Sequence, residues 1–231
     1  MKKKSLRRHF SIAFLLAIPG NFVIAAVLLF SFLSLAQKYP LATERWTVFA
    51  TGLFGGFVIV GTTKMPTMRV FIHELRHAVV VLLTGNRLKN FHVDTHSGHV
   101  TFQMASDRVH FAPFITLAPY CFPLFSLPTL LLCVTLEEFY PLLLTLLLGL
   151  VLATDLETAF EELHPHQTDL KQVMGGFFAS ALYIAGAHLA WIGTCLVWVV
   201  GGRSAYLYSG YVMLELVKSI AQRYAPYLAF S

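Results

Sequence analysis

The 231-residue chain is predicted to be an all-α polytopic membrane protein of about six transmembrane helices, with a small β-hairpin after the third. Three observations predict it. AVILMFWYC make up 56% of the residues, charged residues only 13%, and the mean hydropathy is +0.66. A soluble domain averages about 45–50% apolar and about 25% charged. Several uncharged runs approach or exceed the ~20 residues of helix that a bilayer core requires. Most of the scarce charge lies between these runs, the exceptions including a motif in the third helix and an aspartate in the fifth. A disordered tail and a disulfide scaffold are excluded, and residues 1–231 read as a single membrane-embedded domain.

The first run, Phe10 to Ala36, has no charge and follows the basic stretch MKKKSLRR. It outlasts a signal-peptide core, so it reads as an uncleaved anchor. The basic stretch reads as an orientation signal, and no nucleic-acid partner is expected. A second run covers Trp46 to Thr63. A third helix is expected from Pro66, a residue suited to the first turn, to Thr84-Gly85-Asn86, where Gly85 stops it. In the following RLKNFHVDTHSGHVTFQ, Val100 and Phe102 alternate with Thr101 and Gln103, and Ser97-Gly98 marks a turn. This predicts a hairpin. A fourth run, Val109 to Leu136, contains Pro113, Pro119, Pro123 and Pro128, which kink or break it. A fifth begins near Phe139 and ends before Pro165, and a sixth, Gln172 to Gly202, is uncharged. In residues 204–231, Leu207, Tyr211, Leu214, Val217 and Ala221 share a helical face apart from Glu215, Lys218 and Gln222. This amphipathic segment either lies in the membrane interface or extends the sixth helix and packs on the bundle. Cys121, Cys133 and Cys195 have no paired spacing and read as packing residues.

Residues 73–77 read His73-Glu74-Leu75-Arg76-His77, an HExxH. On a helix, positions i and i+4 share a face, so both imidazoles can bind one ion. Glu74 can then reach a metal-bound water as general base, and zinc lowers that water's pKa towards about 7. Ten histidines and eight glutamates in this length give roughly 0.015 chance matches to the pattern. Charged groups inside a membrane helix are also costly enough to mark function.

A catalytic zinc site takes three protein ligands and leaves a position open. The chain has four aspartates, and Asp155 follows sixteen uncharged residues, inside the fifth helix. An unpaired carboxylate there costs about 2.5–3.5 kcal/mol, which a metal would remove. Asp155 is therefore the expected third ligand. Asp169 is the alternative, although Asp169-Leu170-Lys171-Gln172 also reads as a helix N-cap with a capping-box glutamine. Counting alternating spans, the third and fifth helices run in the same direction, with His73, His77 and Asp155 at one depth.

An intramembrane HELRH, a helix-terminal Thr84-Gly85, a hairpin, a helix and then an intramembrane aspartate resemble the site-2-protease family of intramembrane zinc metalloproteases. Within it, the chain resembles the small bacterial branch without a PDZ domain, over roughly residues 66–172. The resemblance implies hydrolysis of a peptide bond in or near a transmembrane segment of another protein. It implies zinc on His73 and His77, with Glu74 as catalytic base. It also implies a multi-pass protein of the bacterial cytoplasmic membrane, working in the lipid bilayer on a transmembrane protein or peptide. The hairpin matches the family's re-entrant β element, which would hold an unwound substrate as an added strand and keep its backbone paired.

Two features depart from the family. Arg76 stands where a small residue is usual, and neither aspartate sits in an LDG or NPDG sequence. The residues alone thus leave open a non-proteolytic membrane protein that binds or transports a metal. Basic residues favour the N-terminal side as cytoplasmic, which with alternating spans opens the site on the opposite face from the family's. His92, His96, His99, His164 and His166 read as loop residues, and His188 as a buried polar contact within the sixth helix.

Overall fold

The structure, a computed structural model, describes residues 11–38, 43–63, 66–95 and 97–228. The basic start of the chain, Phe10, Lys64 and His96 lie outside the described residues. In chain order the elements are α1 (Ile12–Lys38), α2 (Thr43–Thr62), α3 (Pro66–Leu83), β1 (Arg87–Val93) and β2 (Gly98–Gln103). A 3-10 turn (Ser106–Phe111) follows, then α4 (Ala112–Cys121), α5 (Ser126–Leu136), α6 (Pro141–Glu161), α7 (Thr168–Gln172) and α8 (Gly176–Leu228). Among the described residues, α1, α2, α6 and α8 are long and apolar enough to cross a membrane, and the bent α4–α5 pair makes up to five. The HExxH helix, α3, carries too much charge to qualify by composition.

Local signals act where the sequence put them. Gly85 takes φ 68° and ends α3, with its N–H donating to the Leu82 carbonyl and the Asn86 N–H to that of Val81. This is the glycine stop that satisfies the last carbonyls of a helix. β1 and β2 pair antiparallel from Arg87 opposite Gln103 to Val93 opposite Gly98, with a register irregularity between Leu88 and Asn90. The proline-rich run breaks after Cys121, and its two halves meet at 81°. Gly52, Gly56 and Gly149 let α2 and α6 touch closely, since a Cβ on Gly56 would stand 2.7 Å from that of Ala153. Small residues at such contacts are how membrane helices associate. One core gathers Leu148, Leu152, Cys133, Cys195 and Trp198; a second gathers Phe14, Leu117, Tyr120, Leu170 and Ile184. All three cysteines are free.

Two expectations are corrected. First, α3 and α6 run in opposite directions. Arg69, at the start of α3, pairs with Glu161 at the end of α6, whereas Arg76, two turns further along α3, reaches back to Asp155 and Thr158. The bend between α4 and α5 removes the clean crossing that alternation requires. Second, residues beyond Gly202 are not a straight continuation of the sixth helix. Twelve residues of helix span about 18 Å, yet the Tyr206 hydroxyl donates to the Thr194 carbonyl at 2.9 Å and Tyr206 stacks on Trp198. The chain folds back at Gly202, φ 59° and ψ −144°. The returning arm lines a groove with Ala26, Val27 and Phe30 of α1.

These contacts sort the bundle's ends. The end of α1 leads into the start of α2, which meets the end of α5 and the α8 turn, where Glu137 accepts from Arg45 and the Arg203 N–H. The start of α3, the end of α6 and α7 lie at the other end. The start of α1 joins them, since Phe14 packs with Leu170.

Candidate metal centre

α3 places His73 and His77 one turn apart with ring centroids 5.1 Å from each other. Their Nδ1 atoms are both engaged behind the site. His73 Nδ1 bonds to the Glu162 carboxylate at the end of α6, and His77 Nδ1 to the Ile115 carbonyl of α4 at 2.7 Å. A carboxylate and a carbonyl only accept, so the neutral form of each ring carries its proton on Nδ1 and leaves the Nε2 lone pair free for a metal. The two Nε2 atoms face one carboxylate oxygen: Asp169 Oδ2 lies 3.9 Å from His73 Nε2 and 3.7 Å from His77 Nε2.

Asp169 is delivered by the short helix α7. Leu170, fully buried, packs with Phe14, Leu117 and Tyr120, and its carbonyl accepts from the Ser180 hydroxyl. The helix starts at Thr168 and has no side-chain cap bond. The capping-box reading of Asp169 is therefore not realised, and its carboxylate is left to turn towards the histidines. Among the described residues, His73, His77 and Asp169 are a group whose ligand atoms lie within 4.8 Å of one another.

Asp155 is not in that group. Its carboxylate accepts from Arg76 Nη2 at 3.0 Å, the Phe125 N–H at 3.1 Å, and the Ser126 N–H and hydroxyl at 2.8 and 2.6 Å. The expectation that it meets the histidines is corrected by this geometry. The burial cost argued from sequence is real, and Arg76 compensates it instead of a metal. Asp155 does sit beside the HExxH helix, but it meets Arg76 there and not the histidines.

Glu74 is buried, and its charge, with those of Glu162 and Asp169, acts on His73. Gly98, at the start of β2, covers it: a Cβ there would lie 2.5 Å from Glu74 Cγ and 2.9 Å from its Oε1. The hairpin thus meets the motif's glutamate with bare backbone. Beside it, a groove of about 520 Å³ is lined by Pro66, Thr67, Met68, Phe71 and Val93.

Two residues of the site were not picked out from sequence. Glu162 looked like the polar end of a helix, and no spacing rule ties it to residue 73. Tyr120 is fully buried, stands edge-on to His73 at 5.8 Å, and its hydroxyl is without a partner. Its place in an apolar run hid it. Among the described residues, the remaining histidines stay apart from the site. His92 and His99 face each other on the hairpin, and His164 stacks near His166 in the loop before α7. His188 bonds to the Tyr120 carbonyl at 2.8 Å.

The donor set suits zinc. Four-coordinate zinc with nitrogen and carboxylate ligands at about 2.0–2.2 Å sets its ligand atoms about 3.4 Å apart. The observed 3.7 and 3.9 Å need to close only slightly. Each histidine already has the outer acceptor that metal-binding imidazoles use to fix their tautomer, and a buried hydroxyl lacks a partner beside them.

A family model described as peptidase M50B-like matches residues 47–201, more than half of the chain. The matched segment contains every residue of the centre. No curated protein and no solved structure matches the chain.

Proposed function

The chain belongs to the peptidase M50B-like family, a site-2-protease-type family, and from that premise we propose that it is an intramembrane zinc metallo-endopeptidase. Its substrate would be a peptide bond in or near a transmembrane segment of another protein. The observation that carries the reading is the convergence of the two Nε2 atoms and the Asp169 carboxylate beside Glu74.

His73, His77 and Asp169 would hold the zinc. Zinc bound there supplies an activated water and a Lewis acid for the scissile carbonyl. Glu74 takes the proton as the water oxygen bonds to the carbonyl carbon. It returns that proton to the amide nitrogen as the C–N bond breaks. The Tyr120 hydroxyl is free to donate to the carbonyl oxygen as negative charge develops on it. Glu162 and the Ile115 carbonyl hold the imidazoles in the binding tautomer. The hairpin backbone at Gly98 supports an extended substrate passing the glutamate, because an unwound segment in lipid must find backbone partners.

The corrected directions also support an orientation. The start of α1, next to the basic N-terminal stretch, is at the same end of the bundle as Asp169 and Glu162. By the excess of basic residues on the cytoplasmic side, the mouth of the site faces the cytoplasm.

The test uses purified protein in liposomes, its zinc content, and a fluorogenic single-span peptide. One zinc per chain is expected, lost in Asp169→Ala and retained in Asp155→Asn. Glu74→Gln should keep the zinc and lose cleavage. Equal cleavage by Glu74→Gln, or full zinc in Asp169→Ala, overturns the proposal.

A further inference from the structure

The break between α4 and α5 leaves helix ends inside an apolar bundle, where unpaired backbone groups are expensive. Several are met by side chains from elsewhere. Pro119 has no N–H, so the Ile115 carbonyl, four residues earlier, lacks its helical donor. His77 Nδ1 occupies that carbonyl at 2.7 Å. The Pro119 carbonyl lies in the last turn of α4, beyond which the chain is extended at Phe122, so it too lacks a helical donor, and Arg76 Nη1 occupies it at 2.8 Å. Arg76 and His77 are neighbours on α3, and the two carbonyls are one turn apart on α4. Across the break, Asp155 receives the Phe125 and Ser126 N–H groups at the start of α5. The cation sits at a helix C-terminus and the anion at an N-terminus, the arrangement favoured by both helix dipoles. Arg76 is 1% exposed and Asp155 4%, so the pair works without water.

We infer that Pro119 is a positioning residue for the metal centre: by withholding an amide it reserves the Ile115 carbonyl for His77, while Arg76 and Asp155 clamp α4 at that height. The inference rests on the metallopeptidase reading for its consequence and on backbone chemistry for its mechanism. Arg76, the residue that departs from the family pattern, here supports the motif it interrupts. A proline whose only role was to bend the helix would be dispensable to the metal. A proline that reserves an acceptor would not.

The test is Pro119→Ala in the full chain, which supplies an N–H that competes with His77. Pro113→Ala is the control, because the Val109 carbonyl preceding it by four already accepts the Ala112 N–H. Two readouts are taken: cobalt affinity with its visible spectrum, and the histidine tautomers of the metal-free protein by nitrogen-15 NMR, His77 being assigned by His77→Gln. Pro119→Ala should fold at least as stably as wild type, bind cobalt about 10–100-fold more weakly as outer-shell losses do, and lose the pure Nδ1–H tautomer of His77. Pro113→Ala should stay within about twofold. Cobalt affinity and tautomer unchanged in Pro119→Ala overturn the inference. The tautomer readout needs no metal, so a wild type without tight cobalt would sink the metallopeptidase reading, whereas a tautomer shift on Pro119→Ala would still support the positioning role.

Discussion

Replacing Gly98 by alanine adds one methyl group where β2 crosses Glu74. The backbone at Gly98 is not among the positive-φ glycines, so alanine adds no conformational strain of its own. The added Cβ would lie 2.5 Å from Glu74 Cγ and 2.9 Å from both Glu74 Oε1 and Val70 Cγ1, whereas ordinary contact begins at 3.4 Å. The difference, 3.4 − 2.5, requires a displacement of about 0.9 Å at the carboxylate stem. The Glu74 backbone cannot supply it, because Arg76 and His77 tie that turn of α3 to α4. Either the side chain leaves its rotamer, at about 0.5–1.5 kcal/mol, or the hairpin lifts away. Both misplace the base, and a shift of about 1 Å in a reacting group costs on the order of 10²-fold in rate. In liposomes with the fluorogenic single-span peptide, Gly98→Ala should lower kcat by about that factor. Zinc content should stay at the wild-type level, since no ligand is touched. A variant with wild-type kcat would refute the reasoning. So would one that loses its zinc, because the hairpin would then be supporting the ligands and not the base.

Three further outcomes follow from the same geometry. Asp155→Ala strands the Arg76 guanidinium in an apolar core, and thermal unfolding in detergent should show a loss of about 3–5 kcal/mol; unchanged stability with lost zinc would restore Asp155 as a ligand. Glu162→Gln keeps an acceptor for His73 Nδ1 but removes its charge, so competition with a chelator should show zinc held about 10–100-fold more weakly; equal affinity would make Glu162 a bystander. Tyr120→Phe should retain zinc and substrate affinity while kcat falls by about 10²–10³-fold, the usual cost of one oxyanion donor. An effect on KM alone would move the tyrosine to substrate binding.

How much of this was legible in the sequence depended on whether the signal was local. The glycine after Thr84, the hairpin turn at Ser97-Gly98 and the HExxH face act within a few residues, and all three form where their residues are. The direction of α6 was not legible, because it depends on how sharply the chain bends between Cys121 and Ser126, and prolines announce a break without setting its angle. The acceptors for Arg76 and His77 left a faint trace. Pro119 frees the Ile115 carbonyl, and the end of α4 frees that of Pro119 about one turn on, but which side chains claim them is decided only in three dimensions.

The proposed third ligand, Asp169, shows why burial is a weak warrant for a metal ligand. A carboxylate deep in a membrane must be neutralised, but any nearby cation serves, and an arginine on the adjacent helix is always present where a metal must first arrive. A hydrolytic centre has the opposite need. It must admit water and the metal, and it must leave one position open. Its ligands therefore belong at the mouth of the bundle, partly exposed, as the side chains of His73 at 17%, His77 at 15% and Asp169 at 26% are. At 6%, the Asp155 side chain is too enclosed for that work and well suited to capping a broken helix. The two aspartates thus divide by depth. The one whose burial demanded an explanation holds the scaffold, and the one with an ordinary explanation as a helix cap stands beside the histidines.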